Sequence, residues 1–156
     1  MKIVWRRHTT AVLVIGLMAI IIASAVAFMV NNFGSRTQVQ LGTTVYSVRL
    51  ANTDETRVKG LSGTESLAPN EGMLFDFKAS ALWGIWMKDM LIPIDIIWLD
   101  DNKTVVSIVN EAPPELGDTK TYTPTAPARY VLELQAGAAK RNAIKIGDVA
   151  KFEVGQ

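Results

Sequence analysis

The sequence predicts a mainly β domain, a small antiparallel sandwich or barrel with two short helices, preceded by one amino-terminal transmembrane helix. Two observations support this fold class. Short segments rich in β-branched and aromatic residues alternate with turn sequences along most of the chain, as in all-β domains. Before them, the residues from Ala11 to Val30 carry no charge, and as a helix they are long enough to cross a hydrocarbon layer of about 30 Å.

The charges around the apolar run predict its orientation. Lys2, Arg6 and Arg7 precede the run, and only Arg36 follows it closely. Because basic residues stay on the cytoplasmic side, we expect a single-pass protein with its amino terminus in the cytoplasm and its carboxyl-terminal domain outside.

These features divide the chain into four parts. They are a cytoplasmic tail (1–10), a transmembrane signal anchor (11–30), a linker (31–39) and an extracytoplasmic β domain (40–156). The alternative is a secretory signal peptide, because the small residues around Ala25 and Ala27 fit a cleavage site. Both alternatives export the domain, the first as a membrane protein of the cell envelope and the second as a secreted one.

Composition excludes several classes of function. The chain has no Cys, and its one His, His8, lies in the tail. The β domain therefore lacks the thiol and imidazole groups of the usual nucleophilic and transition-metal sites, and we expect no metal and no cofactor. Three of the 16 basic residues precede the apolar run, so 13 basic residues face all 15 acidic ones in the remainder, a net charge of −2. This balance does not favour nucleic-acid binding.

Local patterns place the elements of the domain. Tyr46, Val48 and Leu50 alternate with polar residues as in a strand, and Thr53 precedes a short helix that ends at Gly60. Further strands are expected at 73–77, 84–88, 94–99, 104–109, 129–135 and 149–154. The strands at 94–99 and 104–109 are expected to pair as a hairpin across a turn at 100–103. A second helix is expected within 136–142. Residues 112–127 hold four of the six prolines and are expected to form a long irregular loop.

The stretch 84–100 combines strong apolar character with charge. Lys88, Asp89 and Asp95 lie among Trp, Met and Ile side chains. A buried carboxylate needs a partner, because an unpaired charge in an apolar site is too costly to keep. Asp95 therefore pairs with Arg57 or Lys88, clamps a backbone turn, or contacts a ligand.

Four blocks in this order resemble the family of domains of unknown function number 192. They are residues 57–63, 71–75, 86–89 with 92–96, and 130–134 followed by Gly137 and Gly147-Asp148. The resemblance covers about residues 40 to 154 and implies a compact, mainly β domain, often secreted or membrane-anchored. It implies no catalytic residue. Asp89-Met90 stands where Asn-Thr is more usual, and Ile94 stands where Leu is more usual.

We predict that a functional pocket is surrounded by Arg57, Trp86, Lys88, Asp95 and Glu133. An aromatic ring beside a carboxylate and a cation is typical of sugar or peptide sites. The structural alternatives are a solvated helix charge for Arg57, a core position for Trp86 and an internal clamp for Asp95.

The predicted function is a non-enzymatic binding or interaction module of the cell envelope, whose ligand or partner protein is unknown. The alternative is a carboxylate-dependent hydrolase acting on an envelope glycan, with Asp95 and Glu133 as its acid/base pair. In a third possibility the buried charges only stabilise the fold, and a partner binds the loop at 112–127.

Overall fold

A computed structural model describes residues 12, 14–24, 36–116 and 119–154. The chain divides into two compact units, Met1–Gly34 and Ser35–Gln156. In the first unit, residue 12 and residues 14–24 are helical. The second unit contains the β domain.

The described residues do not support the predicted transmembrane helix over 11–30. Part of that span, like the tail at 1–10 and residues 31–35 of the predicted linker, lies outside the described residues. The remainder of the linker prediction, 36–39, is wrong, because these residues belong to the strand Arg36–Leu41. Within the part that is described, we find no helix with both the length and the apolar character needed to span a bilayer.

The β domain is built on one six-stranded sheet in the order β1-β2-β3-β8-β5-β6, beside a two-stranded sheet of β4 and β7. The strand bounds are β1 Arg36–Leu41, β2 Thr44–Ala51, β3 Glu71–Ala81, β4 Ile85–Trp86, β5 Ile94–Leu99, β6 Val105–Ala112, β7 Thr121–Tyr122 and β8 Ala128–Gln135. The predicted hairpin of β5 and β6 is confirmed, with Ile97 opposite Ile108. The strand expected at 149–154 is not formed, and only single bridges join Val149 to Thr104 and Lys151 to Gln40.

The mainly β class is confirmed, but the antiparallel sandwich or barrel is not. The large sheet is mixed, because β2 and β3 pair in parallel, with Arg49 beside Met73. It is not closed, because its edge strands β1 and β6 do not pair with each other. The chain crosses from β2 to β3 through a helix and a loop, which returns it to the same end of the sheet. Residue alternation within a strand carries no information about strand direction, so the sequence pattern did not reveal this crossover.

Two short helices flank the strands, as predicted. Helix α1 spans Asp54–Lys59 and begins with a capping box in which Thr53 and Thr56 bond each other's backbone N–H groups. Helix α2 spans Ala138–Arg141. Within the loop predicted at 112–127, the described residues form a 3₁₀ turn at Pro114–Leu116 and the short strand β7.

Both faces of the large sheet are covered. On the first face, Leu132 and Leu134 pack with α2 and with the carboxyl-terminal segment around Phe152. On the second face, Met73 and Val131 pack beneath the loops that contain Leu61, Met87 and Met90. Strand β5 is therefore buried along its whole length, which explains its nearly continuous apolar sequence.

Asp95 joins three parts of the chain on the first face. Its side chain is fully buried and accepts backbone hydrogen bonds from Glu111 at 2.8 Å, Gly137 at 3.0 Å and Ala139 at 2.8 Å. These donors lie near the end of β6 and at the start of α2. The carboxylate thus acts as a backbone clamp, one of the alternatives that the sequence left open.

Replacing this clamp will destabilise the domain. We expect Asp95→Asn to lower the free energy of unfolding by about 3 kcal/mol, because an amide has one acceptor oxygen and no charge for three backbone donors. Chemical denaturation of the full chain measures the change. Asp101→Asn is the matched control. The Asp101 carboxylate is 57% exposed, and its ion pair with Arg129 is long, at 4.0 Å, so the substitution should cost little stability. Equal stabilities of the two variants would contradict the clamp.

Candidate functional site

The second face of the sheet holds a cavity of about 420 Å³. Its walls come from α1 and the residues after it, from β3, from the segment 83–90, and from single side chains of β7 and β8. The volume falls within the range of about 300–1,000 Å³ typical of small-molecule sites. Four aromatic side chains contribute to its lining, namely Phe75, Phe77, Trp83 and Trp86.

Three of these rings, Phe75, Phe77 and Trp83, form a stack that we call the aromatic wall. Phe75 and Phe77 stack with ring centroids 6.2 Å apart, and Phe77 stacks on Trp83 at 4.5 Å. The planes in each pair differ by only 13° and 11°. Phe75 and Phe77 share a side of β3 because alternate strand residues face the same way. The wall can therefore accept a planar ring or an extended apolar chain.

Among the acidic and basic residues that line the cavity, only Glu133 is buried. It is 4% exposed, and no described residue donates a hydrogen bond to it. Every fully buried side-chain nitrogen or oxygen among the described residues has a partner, so its carboxyl oxygens must be reached from the cavity. Burial raises the pKa of Glu133 from 4.5 to about 8, and Arg49 opposes this rise only in part.

The sheet register explains why Arg49 is the nearest countercharge. Arg49 pairs with Met73, and Met73 pairs with Glu133, so the three side chains form a row across the second face. Met73 separates the cation from the carboxyl group. Burial, followed by the charge of Arg36, lowers the pKa of Arg49. The charge of Arg49 therefore only partly offsets the cost of burying an ionised Glu133.

Arg57 lies at the rim of the cavity and is held there by two oxygens. Its guanidinium donates to the Asp54 carboxylate and, at 2.9 Å, to the backbone carbonyl of Asp76. It also lies over the ring of Phe77, 5.7 Å from the centroid. Its side chain is 18% exposed, which is less than a freely solvated helix charge would be.

Asp76 supports this rim from beneath. It is fully buried and accepts hydrogen bonds from Lys78 Nζ at 2.8 Å and Arg129 Nε at 3.2 Å. Burial alone would raise the pKa of Asp76, but these two cations outweigh it and hold the pKa below its usual value. The stable ion cluster fixes the carbonyl that Arg57 uses.

Trp86 and Lys88 of the Trp-Met-Lys-Asp motif also line the rim, next to the loop that follows α1. Trp86 is 49% exposed, and Lys88 Nζ lies 5.7 Å from the centre of its ring. The Ser62 hydroxyl donates to the Lys88 carbonyl at 2.9 Å, and Gly63 N–H donates to the Asp89 carbonyl at 2.8 Å. Asp89 has a φ of 55°, a left-handed conformation that Asn and Asp tolerate best. Two sequence blocks that are distant in the chain thus meet at the cavity mouth.

The structure brings four of the five predicted site residues to the cavity, namely Arg57, Trp86, Lys88 and Glu133. Asp95 does not join them. It pairs with Leu134, whereas Glu133 pairs with Ile96, so the two carboxylates point to opposite faces of the sheet. The proposed acid/base pair of Asp95 and Glu133 therefore does not form.

Several lining residues were missed in the sequence. Phe75, Phe77 and Trp83 were not singled out, although the spacing of the two Phe residues within a strand indicates a shared face. Asp54 and Lys59 were likewise not named as candidate site residues. Among the described residues, no group of three or more acidic or His side chains is arranged to hold a metal ion.

The comparisons with known proteins address the family. The family model for domain of unknown function 192, described as "Uncharacterized ACR", matches residues 37–152. The chain belongs to this family. The predicted resemblance is thereby confirmed, and the matched region contains every residue of the cavity described above.

Two crystal structures are similar to the chain. One, from Sinorhizobium meliloti 1021, is of a proposed transcription regulator, with 31% identity, a TM-score of 0.71, and coverage of 76% of this chain and 94% of that one. The other, from Novosphingobium aromaticivorans DSM 12444, is of a protein of unknown function, with 32% identity, a TM-score of 0.70, and coverage of 74% and 84%. No curated protein matches the chain significantly.

The pKa of Glu133 predicts a pH-dependent stability difference. The folded protein keeps the Glu133 proton to a higher pH than the unfolded chain, so between pH 4.5 and about 8 the folded state binds more protons. Its free energy of unfolding should therefore fall as pH rises through this window, by up to about 1.4 kcal/mol per pH unit. Glu133→Gln should abolish this fall and be more stable than the parent at pH 8.

Denaturation of the parent and variant chains at several pH values measures the difference. Subtracting the two curves removes the contributions of Asp76 and the other carboxylates that both proteins share. Glu65→Gln serves as the control because Glu65 is exposed and does not line the cavity. A parent-minus-variant difference that stays constant with pH would exclude the raised pKa of Glu133.

Proposed function

We propose that the β domain is a non-enzymatic binding module that takes a small organic ligand into the cavity above Glu133. The observation that supports this proposal is the Glu133 carboxyl group, which is buried, open to the cavity and without a hydrogen-bond donor among the described residues. A group with unmet hydrogen-bonding capacity inside a concave apolar site is a candidate ligand contact.

A purely structural role explains Glu133 poorly. Asp76 and Asp95 are also buried in the domain, and each accepts several hydrogen bonds. Glu133 has the same requirement and lacks such donors. Since an unpaired buried polar group destabilises a fold, an apolar side chain would serve packing better at this position.

The hydrolase alternative has little geometric support. Glycoside hydrolysis uses two carboxyl groups on either side of the scissile bond. Asp95 lies on the other face of the sheet, and the second acidic lining residue, Asp54, is paired with Arg57. A transcription role is not favoured for this chain either. Acidic residues outnumber basic ones beyond Asn31, whereas nucleic-acid binding needs a basic surface.

A fragment screen tests the binding function. The full chain, labelled with 5-fluorotryptophan, is mixed with a diverse set of small organic compounds and followed by ¹⁹F NMR. We expect some compounds to shift the resonances of Trp83 and Trp86, which line the cavity. Binding should be lost in Val58→Trp, because Val58 lies at the exposed rim and a larger side chain there obstructs entry.

Val45→Trp is the matched control for this experiment. Val45 is 47% exposed, like Val58 on the surface, but it lies on β2 and does not line the cavity. Compounds should shift the same resonances in this variant as in the parent. If no compound shifts them, or if Val58→Trp and Val45→Trp behave alike, the binding function is wrong.

We also propose, from the sequence, that residues 11–30 anchor the domain at the cell membrane, with the domain outside. The support is the uncharged run and the basic residues before it.

We expect the full chain to sediment with membranes after a carbonate wash, and a chain lacking residues 2–30 not to do so. Protease added to spheroplasts should remove the domain. Mass spectrometry of the mature chain separates an intact anchor from cleavage near Ala25 or Ala27.

A further inference from the structure

The cavity has two chemically different ends. Glu133 lies at the buried end, whereas Lys59 and Lys88 are exposed and line the opposite, solvent-facing end. Among the described residues, Arg49 is the one whose charge lowers the pKa of Glu133, so neither lysine neutralises this carboxyl group. A ligand that fills the cavity therefore meets cations at the mouth and a carboxyl group at the floor.

The two lysines at the mouth, Lys59 and Lys88, have no acidic partner among the described residues. No described carboxylate forms an ion pair with Lys59 or Lys88, whereas Arg57 is paired with Asp54. Of the charged lining residues other than Glu133, three are basic and one is acidic, which leaves two positive charges. This excess attracts an anionic group and repels a cationic one.

The aromatic side chains connect the two ends. Lys88 lies over the face of Trp86, so an acid group bound to this lysine is held beside an exposed ring. The stacked rings of Phe75, Phe77 and Trp83 provide an apolar surface for the body of such a ligand. Apolar area buried against these rings would supply most of the binding free energy.

The floor favours an uncharged group. A neutral carboxyl group at Glu133 donates one hydrogen bond and accepts others, so it suits a carbonyl, ether or hydroxyl oxygen. Arg49 and the mouth lysines make the whole site more positive, which argues against an ammonium group at either end.

Resting on the proposed function, we infer that the ligand is an amphipathic organic anion. Its carboxylate, or another acid group of similar charge, binds Lys59 and Lys88 at the mouth. Its apolar body lies along the aromatic wall, and an uncharged oxygen reaches Glu133.

Three matched probes test this ligand class. They are 4-(4-methoxyphenyl)butyrate, its primary amide and 4-(4-methoxyphenyl)butylamine, which share one body and differ in charge. Titrations of the fluorotryptophan-labelled full chain at low salt give each dissociation constant. We expect the carboxylate to bind at least about tenfold more tightly than the amide, and the amine to bind most weakly.

Lysine variants locate the acid group. Lys59→Met and Lys88→Met should each weaken carboxylate binding several-fold and weaken amide binding much less, because only the carboxylate loses a charge–charge interaction. Lys140→Met is the matched control because Lys140 is exposed on α2 and does not line the cavity. Higher salt should weaken the binding of the carboxylate and not that of the amide, since ions screen the attraction between exposed charges.

The outcomes separate this inference from the binding function. If the amide or amine binds as tightly as the carboxylate, or if the lysine variants have no effect, the anion inference fails while the cavity remains a binding site. If none of the probes shifts Trp83 or Trp86, the anion inference also fails. The fragment screen then decides independently whether the cavity binds any other compound.

Discussion

The register of β8 between β3 and β5 determines what each buried carboxylate of the sheet can do. Glu133 pairs with Met73 on one side and Ile96 on the other, whereas Asp95 pairs with Leu134. Because successive strand residues face opposite sides, this register assigns Glu133 to the cavity and Asp95 to the α2 side. A slip of β8 by one residue would turn Glu133 to the α2 side and away from the cavity, so the site depends on the pairing of the central strands.

Asp95 and Glu133 show two outcomes for a carboxyl group taken out of water. Asp95 receives three backbone N–H donors and joins α2 to the sheet. Glu133 receives none from the described residues, so burial favours its protonated form. The first arrangement stabilises the native state, whereas the second leaves hydrogen-bonding capacity directed at a cavity. The difference lies in available donors and not in depth of burial.

The sequence revealed those features that depend on neighbouring residues. The start of α1 after Thr53 and the β5–β6 hairpin each depend on residues close in the chain, and both predictions are confirmed. The parallel pairing of β2 with β3 and the donors of Asp95 at Gly137 and Ala139 depend on contacts between distant segments, which local patterns do not encode. The sequence blocks at 57–63 and 86–89 still pointed to the cavity, because the loops they form meet at its mouth.

The rim of the cavity is fixed before any ligand enters. Asp76, held by Lys78 and Arg129, supplies the carbonyl that positions Arg57, and the Ser62–Lys88 hydrogen bond ties the two rim loops together. Binding to such a preorganised rim requires little ordering of side chains. A ligand oxygen that bonds Glu133 would also satisfy a polar group that the ligand-free domain leaves without a protein donor. Ligand binding at this site should therefore stabilise the fold through the same residue that weakens it at high pH.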